Sequence, residues 1–260
     1  MNDPLPISTI FVLALHKVDL PVEVATDAIG RVLGLGAYEA RLKANVASPG
    51  PVVAATSADE ETLEIYAETL SGLGVPAFVV GISSGVQPFV ARRIAFADGA
   101  FVVESRDGGR FEVPFSDVDL CLRGIGMTDF ETTHTETSRK LSVGRAVLSG
   151  GLLLTKKVET VRSQTTSKRS GFLLVQLGPD EVVALDEEAL QYDGLGDDMK
   201  ATRSLNFGFV CQRIKAECPD ALHDEQLINR ARQVQILGPK LSPETHLDLL
   251  TTLLTRSLRS

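Results

Sequence analysis

"GRVLGLGAYEARLKANVASPGPVV", Gly30 to Val53, decides how the chain begins to fold. Gly34-Leu35-Gly36 is either a phosphate-cradling loop or a turn between two helices. A phosphate loop needs a strand before it and a helix N-terminus after it, with further glycines or a Lys-Ser/Thr pair. Here Pro21 followed by Val22, Ala25, Ala28, Ile29 and Val32 at helical spacing puts a helix before the glycines. The stretch therefore reads as an inter-helix turn built on Gly34 and Gly36, with Gly36 expected to take the left-handed angle that other residues avoid.

Working outward, Ile7 to Leu15 (ISTIFVLAL) is almost continuously apolar, as expected of a strand buried on both faces. Ala37 to Val46 reads as a second helix, with Ala40, Leu42, Ala44 and Val46 as burial candidates. Pro49-Gly50-Pro51 is a turn and Val52 to Thr56 a strand. Ser57 with Glu60 three residues later forms a capping box for a helix over 58–71. Gly72 and Gly74 end that helix, and Val75 to Val80 closes the series as a strand. The order is β-α-α-β-α-β over about eighty residues.

Ile82 to Gln87 followed by Pro88 reads as a linker. Beyond it, short strands at Val90–Phe96, Ala100–Ser105 and Arg110–Pro114 are separated by the hairpin signals Asp98-Gly99 and Asp107-Gly108-Gly109. Val118–Leu122 is a fourth strand. Thr128–Lys140, polar and threonine-rich, reads as a loop. Leu152–Arg162 and Phe172–Leu177 are extended, the latter pairing with Val182–Leu185. Helices return over 202–216, 222–234 and 243–258. The expected class is α+β: a small α/β sandwich over 1–82, a linker at 83–89, a β-rich domain over 90–200, and C-terminal helices over 201–260 packing on it. The 1–81 segment is expected to fold independently.

The first eighty residues resemble the fold shared by the C-terminal domain of the bacterial ribosomal stalk protein and the substrate adaptor of the Clp protease. Gly34-Leu35-Gly36 with Glu39-Ala40-Arg41 is similar to the stalk domain's Gly-Leu-Gly turn and Lys-Glu-Ala-Lys. Pro21-Val22-Glu23 and Gly74-Val75-Pro76 look like the adaptor's Pro-Met-Glu and its Gly-x-Pro. The functional residues depart from both. Asp27 and Gly30 stand where the stalk domain has basic contacts, and His16-Lys17-Val18 where the adaptor has Asn-Asp-Asp. The resemblance thus implies the scaffold and neither activity. The meander over 98–120 resembles a pleckstrin-homology-like domain, which implies strands closed by a helix.

The chain has 260 residues, 43% apolar and 23% charged, enough to bury a core. It lacks the roughly 18 continuous apolar residues of a membrane helix. Its start, with Asp3, two prolines and no Lys or Arg, is unlike a signal peptide. Cys121, Cys211 and Cys218 form no CxxC, which points to reduced thiols in a bacterial cytoplasm. His16, His134, His223 and His246 have no ligand spacing, so no metal and no cofactor are expected. "YDGLGDD" (192–198) lacks the alternating carboxylates of a calcium loop and reads as a connection in which Asp193 and Asp197 cap local backbone.

The net charge is −8, yet residues 136–170 carry +6. Lys156, Lys157, Arg162, Lys168 and Arg169 in that segment are the candidate anion-binding residues. On a strand Lys156 and Lys157 take opposite faces, so one site takes only one of them, joined by Lys168 and Arg169 if a loop at 163–170 folds back. The acidic surroundings would keep such a site weak. Two functions follow: a non-enzymatic protein-interaction module, adaptor or scaffold, with a protein partner; or a binder of a lipid headgroup, nucleotide or nucleic acid through 136–170.

Overall fold

The computed structural model describes the backbone of residues 10–82, 87–141, 155–178 and 181–260, and the side chains of these outside 127–141 and 155–168. The fold is α+β. β1 (Phe11–Leu15), α1 (Val22–Leu33), α2 (Ala37–Ala47), β2 (Val52–Ser57), α3 (Glu60–Gly72) and β3 (Ala77–Gly81) come first. The short strands β4 (Phe89–Val90), β5 (Arg93–Ala97), β6 (Ala100–Glu104) and β7 (Arg110–Pro114) follow. Then come β8 (Leu120–Leu141), β9 (Thr155–Gln176), β10 (Val182–Asp186), α4 (Arg203–Glu217), β11 (Leu222–Leu227), α5 (Arg230–Leu237) and α6 (Leu247–Arg259). None of the described helices is long and apolar enough to cross a membrane.

The strands form three sheets, β2-β1-β3, β5-β6-β7 and β11-β8-β9-β10-β4. By contacts, Met1–Gly126 with Ser170–Ser260 form one compact unit, so residues on both sides of 83–89 belong together; Met127–Arg169 form a second.

Within the first unit, β1 explains its own composition. It is the middle strand of an antiparallel sheet, between β2 and β3. Its side chains alternate between two cores. Leu13 and Leu15 join Ile29, Ala40, Leu63 and Leu70 under α1, α2 and α3. Val12 and Ala14 join Phe78 and Val80 on the opposite face, together with Leu250, Leu253 and Leu254 of α6. Leu120, Leu122 and Phe172 of the five-stranded sheet belong to that same second core. The other face of the five-stranded sheet, through Cys121, Leu173 and Val175, packs with the β5-β6-β7 meander and with Phe207, Val210, Cys211 and Ile214 of α4. The C-terminal helix α6 thus packs against both the first sheet and the β-rich part.

Four expectations are corrected. Residues 128–140 belong to the strand β8 rather than a loop, because threonine's branched Cβ suits extended backbone whatever its polarity. The extended segments around 152–162 and 172–177 belong, from Thr155 on, to one strand that runs through 163–170, so no loop folds back there. Residues 222–227 are strand, not helix. β11 is an edge strand pairing in parallel with β8, Leu222 opposite Leu120 and His223 opposite Cys121, and an edge tolerates the polar run HDEQ. Finally, α3 is capped by Asp59, which accepts from the Thr62 amide at 3.4 Å. Ser57 instead accepts from the Asp59 amide at 2.9 Å, and Glu60 falls in the first turn.

Candidate functional site

Gly34-Leu35-Gly36 joins α1 to α2. Gly34 closes α1 in the left-handed region, φ 66° and ψ 26°, and the Leu35 amide reaches back to Gly30 O at 3.1 Å. Gly36 is the N-cap of α2 with φ −63° and ψ 152°, an ordinary extended conformation. The positive angle therefore belongs to Gly34 alone of the pair. The short link brings α2 onto α1 through alanines, Ala40, Ala44 and Ala47, all buried. Ala40 Cβ would lie 3.6 Å from a Cβ placed on Gly30, so the helices meet closely there because both partners are small.

This inverts one reading of α2. Leu42 was a burial candidate, yet it is 48% exposed, and Tyr38 one turn earlier is 79% exposed. Positions i and i+4 share a helix face, so the two side chains form one outward stripe. Tyr38 is the most exposed large apolar side chain among the described residues. Arg41, on the same helix, reaches Glu23 of α1 at 3.8 Å.

A second feature lies between α4, β8 and β11. A cleft of about 290 Å³ is lined by Cys121 and Arg123 of β8, Cys211, Ile214 and Lys215 of α4, and His223, Asp224 and Glu225 of β11, with Leu173 at its side. The parallel pairing of β11 with β8 puts His223 opposite Cys121. Glu225 Oε1 stands 3.7 Å from Arg123 Nη1 and 3.8 Å from Lys215 Nζ. These distances exceed hydrogen-bond reach, and pairs this exposed contribute about 0–1 kcal/mol. Asp224 is occupied otherwise, accepting from the Gln226 amide at 2.9 Å and from Gln226 Nε2 at 2.7 Å. His223 Nε2 lies 3.0 Å from the Cys218 carbonyl, which only accepts, so Nε2 carries a proton.

The thiols are unsuited to nucleophilic attack. Burial pushes Cys121 up to about 12, helped by Cys218 and Cys211. Burial raises Cys211 to about 11 against the pull of Arg123, and Cys218 also to about 11. A nucleophilic cysteine needs the opposite shift. All three behave as buried, free side chains. Among the described residues no three His, Cys, Asp or Glu side chains are placed to hold a metal ion.

The anion-binding candidates fall on β9. The side chains of Lys156, Lys157, Arg162 and Lys168 lie outside the described residues, as does that of His134; Arg169 is exposed. Of the other histidines, His16 is buried beside Phe78, and His246 Nδ1 contacts Thr245 Oγ1 at 2.7 Å. Among the described residues Asp193 caps no backbone amide and pairs with Arg93 at 3.3 Å. The sequence reading missed the cleft: its residues come from four elements spread between positions 121 and 225, and no local spacing joins them.

No family model matches the chain, and searches of curated proteins and of solved structures likewise found no match.

Proposed function

We propose that the protein is a non-enzymatic interaction module, an adaptor or scaffold, that binds a protein partner through the outer face of α2 without a cofactor. The observation that carries this reading is Tyr38, 79% exposed, with Leu42 one turn away on a helix whose inward face is alanine. Large side chains turned outward while small ones turn inward give a surface with an aromatic anchor, the residue type that dominates binding at protein interfaces. The raised thiols of the cleft support a non-catalytic role, since none is a ready nucleophile.

The second reading is an anionic ligand, a lipid headgroup, nucleotide or nucleic acid, held by the +6 segment 136–170. The two separate by salt. Affinity capture from the native host, with wild type and a Tyr38→Ala, Leu42→Ala variant at low and moderate salt, is the test. A protein retained at moderate salt by wild type and lost by the variant supports the α2 reading. Nucleic acid or lipid that salt removes, retained equally by both chains, supports the other.

A further inference from the structure

We propose that the cleft between α4, β8 and β11 binds a small monocarboxylate with a short apolar body, its carboxylate on Arg123 and Lys215 in place of Glu225. This inference stands apart from the α2 face and does not rest on it.

Three features of the cleft combine. The first is size and lining: about 290 Å³, walled by Leu173, Ile214 and two protonated thiols, with charged groups beside them. Six of the ten lining residues are polar or charged and four are apolar or thiol, so an apolar wall faces a charged one, and the volume suits a ligand of a few carbons. The second is the two cations. Among the described residues the Arg123 guanidinium and the Lys215 ammonium make no hydrogen bond, and they meet Glu225 at 3.7 and 3.8 Å. Their donors are therefore held loosely by a carboxylate of the chain itself, and a guanidinium fork with an adjacent ammonium matches an incoming carboxylate well. The third is charge. Two cations face two carboxylates, Asp224 and Glu225. Asp224 is fixed by two hydrogen bonds from Gln226, whereas among the described residues the Glu225 carboxylate has the two long ion pairs alone. A single negative charge replaces Glu225 one for one, while a polyanion would be repelled by Asp224.

Glu225 is thus an internal competitor, and its removal has the opposite effect from removal of a cation. Hexanoate and its neutral amide, hexanamide, are the probes, followed through the backbone amide resonances of Cys121, Arg123, Lys215 and Glu225 in the full chain. Hexanoate should shift these resonances and hexanamide should leave them in place. Glu225→Gln should tighten hexanoate by roughly threefold, the size of one exposed ion pair, and Lys215→Gln should weaken it by about as much. A gain of binding in Glu225→Gln cannot come from loss of fold, so the test survives a poorly folded Arg123→Gln. Equal shifts from the amide, unchanged or weaker binding in Glu225→Gln, or hexanoate shifts that miss the cleft would each overturn the proposal.

Discussion

Gly34 and Gly36 are two residues apart and answer to different rules. Gly34 has φ 66° with open space where a Cβ would go, so its constraint is conformational rather than steric. An alanine there must enter the left-handed region at about 1–2 kcal/mol. Gly36, at φ −63° with nothing within 4 Å of a Cβ, accepts alanine sterically. Lower entropy of the unfolded chain then offsets a poorer N-cap, each about 0.5–1 kcal/mol. Chemical denaturation should show Gly34→Ala destabilised by about 1–2 kcal/mol and Gly36→Ala within about 0.5 kcal/mol of wild type. The glycine pair was legible in the sequence as a turn, but the positive angle expected at Gly36 belongs to Gly34, because both glycines fit the local pattern.

His16 supplies the second residue-scale prediction. It is buried, its Nδ1 has no hydrogen-bond partner among the described residues, and its ring lies edge-on to Phe78 at 5.0 Å. Burial lowers its pKa from the ordinary 6.5, and the charges of Lys17 and of Arg256 on α6 lower it further. The unfolded chain therefore takes up the proton first as pH falls. Stability is unaffected above about 6.5 and declines below it until the folded pKa is reached. Melting curves between pH 7.5 and 5 should fall more steeply for wild type than for His16→Phe. Identical slopes would place the acid sensitivity elsewhere.

At the scale of elements, the contrast is between strands read from their own residues and strands set by their neighbours. β1 was legible because burial on both faces leaves it no polar position. The meander β5-β6-β7 was legible because Asp98-Gly99 and Asp107-Gly108-Gly109 mark its turns; Gly99 and Gly108 do take positive φ. β11 was not, since its pairing partner β8 lies about a hundred residues earlier and an edge position removes the need for alternation. The polar half of β8 and residues 163–170 of β9 hid behind their composition in the same way, while the stretch up to Arg162 was legible as extended. α6 brings a further consequence. Leu249, Leu250, Leu253 and Leu254 are buried on it, and they cover Val12, Ala14, Phe78 and Val80 of the first sheet. A fragment ending at residue 81 leaves that face bare. It should associate or lose fixed tertiary structure, which sedimentation and near-ultraviolet circular dichroism would register; a monomeric fragment with native-like signal would contradict the shared core.

For the whole molecule, the α+β class and the β-α-α-β-α-β order follow from periodicity and glycine punctuation, which are local. The layering follows from long-range packing that no window of sequence contains. The same division holds for function. The cleft is assembled from β8, β9, α4 and β11, and the α2 stripe is visible only once Ala40, Ala44 and Ala47 are seen to take the inward face. That stripe carries the central claim, and site-directed photo-crosslinking tests it most directly. A benzophenone side chain in place of Tyr38, irradiated in the native host, should give one discrete protein adduct. The same group in place of Glu68, exposed on α3, should not. No adduct at 38, or the same adducts from both positions, would contradict binding through α2.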